Sequence, residues 1–271
     1  MLVLPVVLAP SLIVAISLAE RRFGPGVAGR LNAIPLSIAL AVLGVAADRG
    51  ARAGAAVAEA AAAHVPAQVA FALAFAAVLT RAREAAPTAD GDDAAARRGR
   101  LARVLTGLAV ASAAFAALSL VIATLPAGVA IAAALPALAF GRHVLDGAER
   151  VVEDREGGAA ELVTRAVVAL IFILAVLSAV RLAGPGLAGA IAAFPALTAT
   201  LAVMIGRARG PGAVAHLLAG VVNGLTGYLA FCVALAFTAP GLGLLAAPLA
   251  AAACAAAYAA SWQRGSLRAA T

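Results

Sequence analysis

Long apolar segments follow one another along most of this chain and constrain its fold more than any other feature. A helix needs about 20 apolar residues to cross the roughly 30 Å hydrocarbon core of a bilayer. Hydrophobic residues make up 64% of the chain and charged residues 12%, whereas soluble domains carry about a quarter charged residues. We therefore predict an all-α integral membrane protein. Nine segments could span, near residues 2–20, 26–47, 53–80, 101–125, 127–141, 162–182, 186–206, 212–238 and 241–262.

Two of these segments are open to a second interpretation. Segment 127–141 is short and contains Pro136, so it is either a spanning helix or a re-entrant one. The first segment resembles a signal peptide, but its basic residues follow the apolar run. Because Ser11–Arg21 aligns with Ile171–Arg181 in the chain interior, we expect it to stay in the folded protein.

A duplicated unit organises the chain. Gly24–Gly29, followed by Pro35, is repeated as Gly184–Gly189, followed by Pro195, and the spacing of 160 residues holds from about Ser11 to Phe75. The two copies lie five predicted crossings apart, so the second should run through the membrane in the opposite sense. We predict two inverted-topology repeats of about four helices, residues 1–125 and 161–271, joined by a linking helix and charged connector at 126–160.

Inverted repeats are common among secondary transporters, because two such halves can expose a central site to each side in turn. The sequence therefore favours a small secondary transporter or permease-like protein. The alternative is a non-transporting membrane partner or assembly subunit that packs through small-residue helix faces. No catalytic set is evident, so an enzyme is not expected.

The distribution of arginine predicts the orientation. All 20 basic residues are Arg, and the predicted loops place 17 on one side of the membrane and 3 on the other. Since basic loops stay in the cytoplasm, we expect an extracytoplasmic N-terminus and a cytoplasmic C-terminus in a bacterial inner membrane. Two polar segments, a linker at 81–100 and a connector at 142–165, should be solvated on the cytoplasmic side.

The Gly-Pro-Gly stretch is also a G-x-G-x-x-G pattern, with Asp48 near the place of a ribose-binding acid. A dinucleotide site needs a preceding strand in a βαβ unit, and this stretch lies between two predicted spans. A helix start at Pro25 and close helix packing at the glycines explain it better.

Pro35 and Pro195 fall about ten residues into their predicted spans, near the bilayer middle. Proline removes a backbone hydrogen bond, so each span should kink and loosen the carbonyls near Leu31 and Ile191. Freed carbonyls either line a site or are satisfied by local polar groups. The candidates beside them are Asn32, Ser37, Thr198 and Thr200.

Polar and ionisable residues inside the other spans complete the candidate substrate or proton site, because such groups are costly in lipid. Glu59 or His64 could carry a proton, or His64 and Asn223 could simply hydrogen-bond between helices. Gly220 and Gly224 form a G-x-x-x-G, which favours close packing. The set comprises Glu59, His64 and Gln68 on one span and His216, Asn223 and Tyr228 on the matching one.

No cofactor or metal site is expected. Cys232 and Cys254 have no metal-ligand spacing, and the three histidines do not form a centre. As partners we predict the lipid bilayer and a small-molecule or ion substrate. Nucleic acid is not expected despite the net charge of +7, and a homo-oligomer stays open.

The run Arg21–Gly29, the Pro35 that follows it and the second copy ending in Ala230–Cys232 resemble a group of uncharacterised bacterial multi-pass membrane proteins. The resemblance covers both repeats, about half the chain. It implies a duplicated membrane fold and no particular chemistry.

Overall fold

A computed structural model describes Ser11, Ala15, Ile16, Leu18, Ala19, residues 22–84 and 93–145, Val167 and residues 193–269. Helix is the regular structure throughout these residues, and no strand occurs among them. This confirms the predicted all-α fold for the described chain. An apolar chain in lipid must satisfy its backbone groups internally, which helices do within one segment.

The helices are α1 (Pro25–Asn32), α2 (Leu36–Arg49), α3 (Ala51–Ala63), α4 (Val65–Glu84), α5 (Asp93–Ile122), α6 (Ala127–Leu145), α7 (Ala196–Arg209), α8 (Pro211–Leu242) and α9 (Ala246–Ala269). A 3₁₀ turn, Gly243–Leu245, joins α8 to α9. Both α4 and α5 extend into the linker predicted at 81–100, because Ala, Arg and Glu favour helix. Most of the 142–165 connector lies outside the described residues.

Four helical stretches in the described chain are long and apolar enough to cross a membrane: Ala51–Arg81, Arg98–Ile122, Ala127–Leu145 and Pro211–Leu242. They match the predicted segments 53–80, 101–125, 127–141 and 212–238. The fifth predicted segment is thus one helix of 19 residues that contains Pro136. A shorter apolar stretch, Ala246–Ala260, belongs to the last predicted span.

Three predicted spans are not fully described. Residues 2–20, 162–182 and 186–192 lie wholly or mostly outside the described chain. The total of nine spans, the inverted relation of the repeats and the domain boundaries therefore stay predictions. The second Gly-Pro-Gly copy lies in the same undescribed part.

Helices α5 and α6 each bury one stripe and expose apolar side chains on the other side. On α6 the buried stripe is Ala130, Ala134, Leu138, Gly141 and Leu145, a spacing of three and four residues that follows one helix face. Leu120, Leu135 and Phe140 are 60–72% exposed. Large outward-facing apolar side chains suit contact with lipid and are unfavourable in water.

Helix α8 is the central element of the described fold. It contacts α1, α3, α4, α6, α7 and α9. Its side chains are apolar nearly all round, and residues on several of its faces, including Leu217, Leu218 and Cys232, are fully buried. A helix that is apolar on all sides is expected at the centre of a bundle.

Helix α1 crosses α8 at unusually close range through glycines. A β-carbon on Gly29 would collide with the Leu217 carbonyl oxygen, and one on Gly220 would collide with the Gly26 carbonyl oxygen. Gly224 is in contact with Ala33 and with the Arg30 carbonyl in the same way. Only residues without a side chain allow backbones to approach this closely. The packing predicted for Gly220 and Gly224 is confirmed.

The first Gly-Pro-Gly stretch starts a helix, as predicted. Gly24 has a φ of +86°, and Pro25 takes the first position of α1, where proline loses no hydrogen bond. No strand precedes it among the described residues. The stretch therefore provides a helix start and a packing surface.

Pro35 separates two helices, where the sequence predicted one kinked helix, and Pro195 directly precedes the start of a helix. The chain leaves α1 after Asn32, and Pro35 then caps the start of α2 with φ −78° and ψ 41°. Pro195 caps the start of α7 with φ −78° and ψ 60°. Proline disfavours helical geometry in the residue before it as well as removing a donor. The prediction of one kinked helix at 26–47 was wrong: this segment contains two helices.

We expect Gly29→Ala to destabilise the protein by about 1–3 kcal/mol, the usual cost of overpacking, because α1 and α8 must move apart. The measurement is the apparent melting temperature of detergent-purified protein. Gly128→Ala is the matched control, since a β-carbon there meets no atom within 4 Å and alanine is the better helix former. Equal melting temperatures for the two variants would contradict the close crossing.

Candidate functional site

One hydrogen bond joins the end of α1, just before Pro35, to the start of α7, just after Pro195. The Asn32 side-chain amide donates from Nδ2 to Thr198 Oγ1 at 2.7 Å. Asn32 is the last residue of α1 and Thr198 lies in the first turn of α7, 166 positions away in the chain. Their exposed fractions are 9% and 4%. We call the turn Asn32–Pro35 together with Thr198 the break junction.

One polar atom at the break junction is left without a protein partner. Asn32 Oδ1 is buried and accepts no hydrogen bond within the described chain. Leaving a buried acceptor unsatisfied costs about 1–3 kcal/mol. Such a group in a native fold calls for an explanation, and a bound ligand is one of the few available.

The other residues predicted beside the prolines differ in their placement. Pro35 is buried and Pro195 is half-buried. The Thr200 hydroxyl donates to the Ala196 carbonyl of its own helix at 3.0 Å, so it is satisfied away from the junction. The side chain of Ser37 lies outside the described residues.

His64 lies at the short interruption between α3 and α4. Its Nδ1 is 2.7 Å from the Ala60 carbonyl oxygen, which one turn of helix brings within reach. Because a carbonyl oxygen only accepts, Nδ1 is the donor in this contact. Nε2 is buried with no hydrogen-bond partner in the described chain. The predicted proton role of His64 is untested and stays a prediction.

An aromatic cluster connects His64 to Phe194, just before the start of α7. The His64 ring centroid lies 6.5 Å from that of Phe115, and Phe115 lies 5.3 Å from Phe194, edge to face. Phe71 contacts Phe194 at 5.9 Å with the same geometry. Edge-to-face ring pairs add to the energy of apolar burial. Phe194 directly precedes Pro195, so these ring contacts hold the chain in place just before α7 begins.

Gln68 and Tyr228 form the second buried polar pair. The Gln68 amide on α4 and the Tyr228 hydroxyl on α8 lie close enough to interact as donor and acceptor, and each side chain is 7% exposed. Tyr228 also contacts the Cys232 thiol one turn further along α8. Both members of the pair were predicted from sequence as candidates, and the structure brings them together.

The remaining predicted residues lie apart from these pairs. His216 faces α1, where its Nε2 would be 2.8 Å from a β-carbon on Gly26. Asn223 is half-buried, and its backbone carbonyl accepts hydrogen bonds from other residues. The side chain of Glu59 is exposed, so it does not reach the break junction.

Arg142 belongs to this region although its sequence position suggested a loop. It lies near the end of α6 and donates from Nη2 to Thr226 Oγ1 and to the Asn223 carbonyl at 3.4 Å. The preceding Gly141 packs against Val69 and Val222, which brings α6 close to the middle of α8. The sequence feature that could have predicted this contact is Gly141, a small residue that lets the next side chain reach a neighbouring helix.

The described residues contain no group of three His, Cys, Asp or Glu side chains arranged to hold a metal ion. Cys232 and Cys254 are free thiols. The buried polar side chains of the described residues are mainly amides and hydroxyls instead. The chemistry available there is hydrogen bonding and ion coordination by neutral ligands.

Comparison with protein-family models, with curated proteins and with solved structures finds no match to this chain. Function must therefore be argued from the geometry of the site. The resemblance to uncharacterised bacterial membrane proteins stays a prediction from the duplicated sequence.

We expect Gln68→Leu and Tyr228→Phe to be coupled in a double-mutant cycle. Either single change leaves a buried partner without its hydrogen bond, which costs about 0.5–2 kcal/mol between membrane helices. Once Tyr228 is Phe, the Gln68→Leu change should cost less than it does in the unmodified protein. The measurement is unfolding free energy in detergent, and strict additivity of the two changes would contradict the pairing.

Proposed function

We propose that this chain is a small secondary transporter whose central site is the break junction, held between two inverted repeats. The observation that carries the proposal is the Asn32–Thr198 hydrogen bond. It joins the end of α1, just before Pro35, to the first turn of α7, just after Pro195, and each proposed repeat contributes one of the two helices. Broken helices at membrane depth, meeting where the halves meet, are a recurrent way to build a transport site.

The similarity of the helices that follow Pro35 and Pro195 supports the repeat relation. Helices α2 and α7 both have 14 residues, begin after a proline and end at a glycine with φ near +85° to +88°. Their start, end and flanking residues are all separated by 160 positions. The duplicated sequence has the same spacing, so the 160-residue repeat is also present in the backbone conformation.

The Gln68–Tyr228 pair supports an axis between the repeats. These two positions also differ by 160 residues, and their side chains touch. Equivalent positions of two repeats can meet each other only near the axis that relates them. We therefore propose that the axis of the inverted pair passes between α4 and α8 at Gln68 and Tyr228.

The lengths of the helices support a break at membrane depth. At 1.5 Å per residue, the 14 residues of α2 extend about 21 Å and the eight of α1 about 12 Å. Together they extend about 33 Å, slightly more than the roughly 30 Å hydrocarbon core. The break then lies well inside the bilayer, where a carbonyl or amide has no water unless a cavity brings it.

The topology follows from the same proposal. Nine spans, an extracytoplasmic N-terminus and a cytoplasmic C-terminus in a bacterial inner membrane put the starts of α1 and α8 on the cytoplasmic side. These helices should then run parallel, and successive contacts from Gly26–Gly220 to Ala33–Gly224 do run in that sense. A rocking motion of one repeat against the other would open the break junction to each side in turn.

We expect a cysteine at the break junction to react from both sides of the membrane. Cys232 and Cys254 are first replaced by Ala, and Ala33→Cys is then labelled with an impermeant thiol reagent in right-side-out and inside-out vesicles. Alternating access predicts labelling in both orientations. The buried residue Ala134 on α6 provides the control, since Ala134→Cys should stay unlabelled.

Labelling of Ala33→Cys from one side only would contradict alternating access. In that case co-purification of a second protein at a fixed ratio would favour the alternative, a non-transporting assembly subunit. The two functions are thus separated by one labelling experiment and one composition measurement.

A further inference from the structure

We propose that the break junction binds an alkali metal cation through Asn32 Oδ1, Thr198 Oγ1 and the backbone carbonyls of Asn32 and Ala33. The proposal rests on the proposed function for the role of the ion, which is to couple transport to an ion gradient. Binding itself is an equilibrium property of the purified protein and is tested separately.

The first argument is the unpartnered acceptor. Asn32 is more than nine-tenths buried, and Oδ1 has no hydrogen-bond donor in the described chain. Its Nδ2 already donates to Thr198 Oγ1, so Oδ1, bonded to the same amide carbon, is held close to the threonine oxygen. A buried carbonyl oxygen without a donor is stabilised by a cation.

The second argument is that the turn between α1 and α2 supplies further oxygen ligands. Of the backbone hydrogen bonds described at this turn, none is accepted by the Asn32 or Ala33 carbonyl. They follow the C-terminal end of α1, which carries partial negative charge. Unwound carbonyls and helix C-termini are the groups that coordinate small cations inside membrane proteins.

The third argument selects the charge of the ion. All the proposed ligands are neutral, and Glu59, the one acidic residue among the predicted site candidates, is exposed. Divalent cations are bound mainly by carboxylates, whereas a monovalent ion can be held by neutral oxygens. The N-termini of α2 and α7 begin nearby and carry partial positive charge, so the binding should be weak enough to be reversed in a transport cycle.

The test is thermal stability of detergent-purified protein titrated with NaCl against choline chloride at constant ionic strength. A ligand that binds only the folded state raises the melting temperature as its concentration passes the dissociation constant. We expect Na⁺ to raise it and choline not to. Equal melting temperatures in the two salts would overturn the proposal.

Two threonines on α7 provide a matched pair of variants. Thr198→Val removes a proposed ligand and should raise the half-saturating Na⁺ concentration roughly 10- to 100-fold, as expected for losing a contact to a charged group. Thr200 is equally buried, at 4% exposed, but bonds its own helix. Thr200→Val should leave the Na⁺ response unchanged, and equal responses of the two variants would overturn the site.

Asn32 gives a test of the acceptor itself. Asn32→Leu should abolish the Na⁺ response, and Asn32→Asp should keep or strengthen it, because a carboxylate offers only acceptors. Loss of the response in Asn32→Asp would show that an amide donor is needed and would overturn the proposal. If Asn32→Leu fails to fold, Asn32→Asp and Thr198→Val still decide.

The outcomes separate this proposal from the proposed function. A Na⁺ response together with one-sided cysteine labelling would leave the cation site standing and remove transport. Two-sided labelling without a Na⁺ response would leave transport standing and remove the cation site.

Discussion

The hydrogen-bonding requirement of the backbone in lipid is the constraint on which the rest of this structure depends. A spanning helix satisfies its amides and carbonyls within itself, so a broken helix exposes groups that lipid cannot satisfy. Pro35 imposes such a break between α1 and α2, and Pro195 directly precedes the start of α7. Protein covers both positions: Ala33 and Ala193, beside the two prolines, are 7% and 2% exposed. The central helix α8 and its neighbours supply that cover, and the breaks therefore lie inside the bundle.

Small residues on α8 connect this constraint to the site. Gly220 and Gly224 let α1 lie against α8 with backbones in contact, and Ala33, the neighbour of Asn32, packs directly on Gly224. On another side, Gly206 of α7 packs against Val214 of α8 and Val104 of α5. Both partners of the Asn32–Thr198 hydrogen bond are thus positioned by helices that approach α8 closely. A larger side chain at these glycines would separate the partners before it affected any polar group.

The sequence predicted the parts of this fold that depend on local chemistry. Apolar length identified the long helices, Pro25 and the glycines identified a helix start and a packing face, and chain position identified Asn32 and Thr198 as candidates. It did not predict that a helix would end before Pro35, because the choice between a kink and a break depends on which neighbours can cover the exposed carbonyls. Nor did it place Arg142, whose reach to Thr226 depends on the tilt of α6 against α8. The pairings of Asn32 with Thr198 and of Gln68 with Tyr228 are tertiary, and spacing along one chain carries no direct information about them.

The break junction has polar side chains at only one of the two pairs of positions that the proposed repeat would relate. If the repeats are related by the 160-residue spacing, the counterpart of the Asn32–Thr198 pair is Ala192 with Ile38, two apolar residues. Ile38 is fully buried, as suits a packing position. Duplication alone would have supplied two equivalent polar pairs or none. One pair carries polar groups and the other does not, so a ligand bound there would occupy a single site per molecule, away from the axis proposed at Gln68 and Tyr228. Two halves of similar backbone could then exchange conformations around one asymmetric site, and the exchange would change which side of the membrane reaches it without creating a second one.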